Sequence, residues 1–268
     1  MLFSSTYTFA WDLVIALLLG MSFGVCLVAA IHLRRRKGVL TWTGIAMTGL
    51  LPALVFATVP YGSFVEPQFI TVTTERIALP IKQPLKIVVL SDLHVGPYKD
   101  AAYIQRVVDR VNELVPDVVL LAGDYLLGDT ADETVANDLA PLQSLHAAFG
   151  TFAVLGNHDH GLYRTLLGLN RPPDDPGEAV AGILTGAGIT VLQNESAVID
   201  FGTNRLAIAG IEDRWFPTSD VSKAMEGIPA GTPIVLLAHN PDVILDERSS
   251  SASLIIAGHT DGGQIRLP

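Results

Sequence analysis

Residues 86–94 read KIVVLSDLH, an apolar run that breaks into a carboxylate and a histidine two positions apart. Lys86 to Leu90 is too short for a helix and has no polar alternation, which suits a strand covered on both faces. In extended chain, side chains two residues apart share a side, so Asp92 and His94 are expected to face one point just past the strand end. The same event recurs along the chain. Asp117 to Leu121 runs into Gly123-Asp124, and Thr151 to Leu155 into Gly156-Asn157-His158-Asp159. Ile234 to Ala238 leads to His239-Asn240-Pro241, and Leu254 to Ala257 to Gly258-His259-Thr260-Asp261. A single pairing of this kind is ordinary turn or helix-cap chemistry. Recurrence changes the reading, because the carboxyl ends of strands in open α/β sheets converge on one crevice. Carboxylates, imidazoles and an amide oxygen gathered there suit two hard or borderline divalent cations.

Between these strands the pattern turns helical. Ala101 to Leu114 carries Ile104, Val107, Val108, Val111 and Leu114 at helical spacing. Thr130 to His146 and Glu178 to Thr185 read as further helices, and 190–192, 197–200 and 206–209 as further strands. Residues 170–177, NRPPDDPG, are a loop by composition. Strands alternating with helices define an α/β class with a layered core. Ahead of it, Glu66 to Pro84 reads as an extended connection punctuated by Pro67, Pro80 and Pro84, with strand chemistry at 70–74.

The 268 residues are 49% hydrophobic with a mean hydropathy of +0.41, high for a chain with no membrane segment. Leu13 to Ile31 and Gly38 to Val65 are uncharged, and each is long enough to cross a bilayer in about 20 helical residues. They flank Arg34-Arg35-Arg36-Lys37. The expectation is a membrane anchor over 1–65, with helices at about 13–32 and 39–60 around a basic turn at 34–37, followed by a catalytic domain over 66–268. No basic residue precedes the first apolar run, which counts against a cleaved signal peptide. Reading the arginines as a twin-arginine export signal is the other option, and it puts the large domain on the same side. The basic turn belongs in the cytoplasm, so both chain ends are expected outside a bacterial inner membrane.

The net charge is −10 even with that basic turn included, so the rest of the chain lacks the basic face of a nucleic-acid binder. The one cysteine, Cys26, lies in the first apolar run. A disulfide or a cysteine metal site in the large domain is thereby excluded.

SDLHVG (91–96), LLAGDY (120–125), VLGNHDH (154–160), LLAHNPD (236–242) and AGHTDGGQIRLP (257–268), in that order, resemble the calcineurin-like metallophosphoesterase family. LQNES (192–196) and AGIEDRW (209–215) are similar to its membrane-tethered bacterial branch, and the likeness runs from about Glu66 to the C-terminus. The resemblance implies a layered α-β-β-α sandwich. It implies that Asp92 and His94 hold one metal, that Asp124 bridges both, and that Asn157, His239 and His259 hold the second. His158 would be the general acid beside the leaving group, and His160 a candidate substrate contact. The implied cofactors are two divalent ions (Mn, Fe, Zn or Mg) sharing a hydroxide that attacks a phosphate ester or pyrophosphate. A membrane anchor points to a phosphorylated lipid or envelope substrate.

Three departures qualify the likeness. Asp261 stands where relatives carry a further histidine; its oxygen is still a metal-type donor, and it is expected to complete the first site. Leu127 stands where relatives have an Asp that steadies the acid histidine, leaving Asp129 or Asp159 as substitutes. Relatives continue past the Gly-Gly-Gln turn with more strand, so the stop at Pro268 reads as a truncation. Together these keep open an alternative, a catalytically impaired, membrane-anchored binding or structural module on the same scaffold.

Overall fold

The computed structural model describes residues 6–35, 50, 52–96, 98–128, 130–165, 168–170 and 172–261. Two compact units divide the chain, Met1–Thr73 and Thr74–Pro268.

In the first unit, α1 (Thr6–Arg35) is 30 residues long, about 45 Å of helix. Within it Asp12–Ile31 is long and apolar enough to cross a membrane. Leu17, Met21, Phe23 and Val28 are exposed, so the helix has no single core-facing stripe to bury. Arg34 and Arg35 belong to the end of α1. Arg36 and Lys37, and most of the second expected span (39–49 and 51), lie outside the described residues. Residues 52–60 are helical (α2), and the chain then tightens into a π-helical turn, Tyr61–Val65, and a 3-10 turn, Glu66–Gln68. The two-helix anchor is thus seen as one candidate span and the end of another helix.

The second unit runs β1 (Ile87–Leu90), α3 (Ala101–Glu113), β2 (Val118–Leu121), α4 (Glu133–Leu139), β3 (Thr151–Ala153), β4 (Tyr163–Thr165), β5 (Gly168–Asn170), α5 (Gly177–Gly186), β6 (Thr190–Val191), β7 (Glu195–Phe201), β8 (Asn204–Gly210), α6 (Val221–Met225), β9 (Ile234–Leu237) and β10 (Leu254–Ile256). One sheet has the order β1-β2-β3-β6, all parallel. The other has the order β10-β9-β8-β7, parallel except for the β7–β8 hairpin. This is an α/β fold with one parallel and one mixed sheet.

The two sheets share a core. Val118, Leu120, Ala122, Phe152 and Val154 from the first meet Leu206, Ile208, Val235 and Leu237 from the second. Val119 and Leu121 point the other way, as the strand repeat requires, and are equally inaccessible. The outer face of the second sheet, Ala209, Leu236 and Ala238, is covered by Val221 and Ala224 of α6 and by Val243. On α3, Ile104, Val107, Val108 and Val111 form the buried stripe, and the Asp100 carboxylate accepts from the Tyr103 N–H to cap its start.

Expectation and structure part at three places. The 130–146 segment is α-helical only over α4 and then tightens to a 3-10 turn, Ala140–Ser144. Pro141 has no N–H to give the preceding turn, so the α-helix stops there. Residues 70–74 are not paired into a strand; β-branched composition alone supplies no hydrogen-bond partner. Leu79, Ile81 and Leu85, further along that connection, pack against the inter-sheet core, and the Lys82 N–H donates to Asn204 at 2.7 Å. The β4–β5 hairpin was not expected.

Candidate metal centre

β1, β2 and β3 end side by side in one sheet, β9 and β10 in the other, and the residues just past them meet in one place. His94 Nε2 lies 4.0 Å from Asp92, 3.8 Å from Asp124 and 3.5 Å from Asp261. His239 Nε2 lies 3.2 Å from Asp124, 3.2 Å from Asn157 Oδ1 and 3.1 Å from His259 Nδ1. Two donor groups result, Asp92–His94–Asp124 and Asp124–His239–His259, each with its ligand atoms within 4.8 Å of one another. Asp124 belongs to both. Every residue expected to hold metal is therefore brought to this cluster, including Asp261, whose short side chain does reach His94.

The backbone reaches it by a route that strand periodicity does not foretell. Asp92 (φ 56°), His94 (φ 50°), Asp124 (φ 58°), His259 (φ 72°) and Asp261 (φ 48°) are all left-handed, not extended. Among the described non-glycine residues only Val115 and Asn194 share that conformation, so the strain is concentrated at this cluster. Each such residue costs about 1–2 kcal/mol. Hydrogen bonds offset that cost: the Asp92 and His94 N–H groups donate to the carbonyls of Gly123 and Asp124, each at 3.0 Å. The Asp92 carboxylate in turn accepts from the His259 N–H at 3.1 Å.

Asp159 is the residue that sequence reasoning underrated. It is fully buried, and its carboxylate accepts from the N–H groups of Asp124 (2.8 Å), Tyr125 (2.7 Å) and Gly156 (2.8 Å). It therefore clasps the loops after β2 and β3 together. Its oxygens are spent on backbone, so Asp159 does not replace the Asp missing at Leu127 as a partner of His158. The other substitute, Asp129, lies outside the described residues. An Asp within a Gly-rich turn was the available signal; nothing local said which N–H groups it would meet.

Glycine is required where the loops cross. Gly123 has φ +91°, and a Cβ there would come within 2.7 Å of both Gly156 N and His239 Nδ1. A Cβ on Gly258 would collide with the Ser91 hydroxyl.

The polar hydrogens set which atoms face inward. Asn157 Nδ2 donates to the Leu162 carbonyl at 2.6 Å, which only the nitrogen can do, so Oδ1 points to His239. His239 Nδ1 donates to the Ala122 carbonyl at 2.8 Å, turning Nε2 toward Asp124. Carboxylate oxygens, an amide oxygen and imidazole nitrogens thus converge on one place. That donor set fits divalent cations, whose charge would relieve the crowding of Asp92, Asp124 and Asp261.

The electrostatics agree. Burial pushes Asp92 above the usual carboxylate value, and repulsion from Asp124 and Asp261 adds to it. Burial opposes ionisation at Asp124 too, yet the hydrogen bond and charge of His239 win and hold it at about 2. His239 is the mirror case: burial disfavours its cation, but Asp124 raises it to about 9. At His158 burial dominates and pulls the imidazole down to about 4.

His158 sits at the edge of the cluster. Its backbone N–H donates to Asp124 at 2.9 Å, its ring meets His94 edge-on at 4.9 Å, and it stacks on Tyr163 at 5.7 Å. His160 is tied down instead: Nδ1 pairs with Asp175 at 2.8 Å, Phe216 packs on the ring at 4.4 Å, and Gly177 leaves room for the imidazole that a Cβ would fill. Trp215 stands edge-on to His259 at 6.0 Å. Arg214 forms an ion pair with Asp246 at 3.6 Å.

A family model described as calcineurin-like phosphoesterase matches residues 85–261. Among similar proteins, the UDP-2,3-diacylglucosamine pyrophosphatase LpxG of Chlamydia trachomatis is 29% identical, the match covering 83% of this chain and 78% of that protein. The phosphodiesterase YaeI of Escherichia coli is 32% identical over 78% of this chain and 73% of its own length. A transmembrane protein with metallophosphoesterase domain from Danio rerio is 33% identical over 68% of this chain, 41% of the fish protein.

Proposed function

Because this chain belongs to the calcineurin-like phosphoesterase family, we propose that it is a two-metal phosphohydrolase acting on a phosphorylated lipid or envelope compound. The observation that carries the reading is the sharing of Asp124, 3.8 Å from His94 Nε2 and 3.2 Å from His239 Nε2, between two separate donor groups. Asp92, His94 and Asp261 would hold one divalent ion; Asn157, His239 and His259 would hold the other; Asp124 would bridge. When bound, such a pair supplies Lewis-acid polarisation of a phosphoryl oxygen and makes a nucleophile available from water near neutral pH.

The protein's own groups do the rest. The Ala122 carbonyl and the Leu162 carbonyl keep His239 and Asn157 turned inward, so the donors need not reorganise when cations arrive. His158, with Asp124 on its N–H and Tyr163 against its ring, is held where a leaving oxygen would depart and is the group that would carry a proton to it. Since burial favours its neutral form, an anionic phosphate beside it must raise its proton affinity for that step.

Residues 1–65, with spans at about 13–32 and 39–60, are assigned as the membrane anchor and 66–268 as the α-β-β-α catalytic domain on the outer side of a bacterial inner membrane. LpxG is named for cleaving a pyrophosphate in a lipid-bearing nucleotide, which supports testing that chemistry here. Detergent-solubilised protein loaded with manganese should hydrolyse bis-p-nitrophenyl phosphate, and Asp124→Ala should abolish turnover. A panel of UDP-2,3-diacylglucosamine, phospholipids and nucleotides then ranks substrates. Metal-loaded protein inert on the whole panel would favour the impaired binding module. Orientation is read by a C-terminal alkaline phosphatase fusion, which should be active.

A further inference from the structure

Lys99 is a cation at the edge of the cluster to which the proposed chemistry gives no role. A tight reversal puts it there: the Gly96 N–H donates to the Lys99 carbonyl at 2.9 Å, and the Lys99 N–H returns a bond to Gly96 at 3.3 Å. The chain that left β1 through His94 thereby doubles back before Asp100 caps α3. The Lys99 ammonium lies 3.5 Å from the Asp92 carbonyl and 5.5 Å from the centre of the Tyr103 ring. It is half-buried, and Asp261 and Asp92 are the charged groups that act on it. The ammonium's one described hydrogen bond, to that carbonyl, is long and uses one of its three N–H donors.

Charge balance gives that position a purpose. Three carboxylates, Asp92, Asp124 and Asp261, face the cluster, and Asp92 and Asp261 both lie on the Lys99 side. Two divalent cations set against these three carboxylates and a hydroxide leave no net charge to attract an anionic phosphate. A lysine fixed beside them, stacked on an aromatic ring and only partly solvated, supplies a positive charge and offers donors to a phosphoryl oxygen.

We propose that Lys99 is a substrate-binding residue, gripping a non-bridging phosphate oxygen on the Asp261 side of the centre. The proposal rests on the phosphohydrolase reading and is tested with inorganic phosphate as the probe. Wild-type, Lys99→Gln and Lys99→Arg proteins are loaded with manganese, and metal content, phosphate Kd by calorimetry, and KM and kcat for bis-p-nitrophenyl phosphate are measured. Lys99→Gln should keep its metal while phosphate Kd and KM rise about tenfold or more, the factor set by one charge-assisted hydrogen bond. Lys99→Arg should restore most of the loss, and the gap between wild type and Lys99→Gln should narrow in high salt. Metal-loaded Lys99→Gln with wild-type phosphate Kd and KM overturns the proposal alone. Loss of metal from Lys99→Gln also overturns it, by making the lysine a support of the metal site. Wild-type protein that takes up no metal overturns both the proposal and the phosphohydrolase reading beneath it.

Discussion

His158 shows how one residue's environment limits its chemistry. Burial pulls its pKa to about 4 against the opposing charges of Asp124 and Asp261, so at neutral pH it is neutral, and Leu127 adds no further carboxylate. If it delivers a proton to the departing oxygen, the need depends on the leaving group. His158→Ala should therefore slow hydrolysis of alkyl phosphodiesters by about 10²–10⁴. The same variant should cost far less with p-nitrophenolate, which leaves well without a proton. Equal losses on both substrates would overturn the acid role, since the 2.9 Å bond to Asp124 comes from the His158 backbone N–H and survives the substitution.

Loops between elements hold the centre in shape. Asp159 draws N–H groups from the loops after two strands onto one carboxylate, and one of those N–H groups belongs to left-handed Asp124, which the bond helps to hold. Asp159→Asn replaces one acceptor oxygen by an NH₂ that faces an N–H. A penalty of about 1–3 kcal/mol is expected, lowering Tm by about 2–4 °C per kcal/mol in a unit of this size. Differential scanning calorimetry of the metal-free protein measures it. A weaker grip on manganese should accompany the lower Tm, because Asp124 depends on this clasp. An unchanged Tm would show that the clasp carries no stability.

For the whole molecule, metal uptake is coupled to protons. In the metal-free chain His239, with a value near 9, is protonated at pH 7, and Asp124, near 2, is ionised. A histidine must be neutral to ligate, so its proton leaves as the ion enters. Manganese titrated at pH 7 in buffers of different ionisation enthalpy should show about one proton released per chain attributable to His239. Affinity should rise with pH up to about 9 and flatten above it, because the competing proton is then already gone. A pH-independent affinity between 6 and 9 would contradict the Asp124–His239 pair. The single span seen in α1 adds a separate expectation, that the protein stays with the membrane fraction through a high-salt wash.

From the sequence alone came the α/β class, most of the strands and the loops whose candidate donors the fold brings together. Short apolar runs ending in Gly-Asp, Asn-His or His-x-Asp are local patterns, and burial on both faces marks the composition of β2, whereas β1, read the same way, is an edge strand that leaves Val89 exposed. The β4–β5 hairpin, the 3-10 turn after α4 and the unpaired 70–74 segment were not legible, because hydrogen-bond partners far along the chain decide them. Tertiary structure alone decided how the donors meet. Asp92 and His94 face one point through left-handed backbone that the extended reading missed, and that backbone is held by Gly123 and Asp124, distant in sequence. It likewise decided that Asp261 reaches His94, that Asp159 binds backbone and not His158, and that Lys99 returns to the centre. A residue's type is written locally, whereas the direction of its lone pairs depends on which remote amides and carbonyls fold against it.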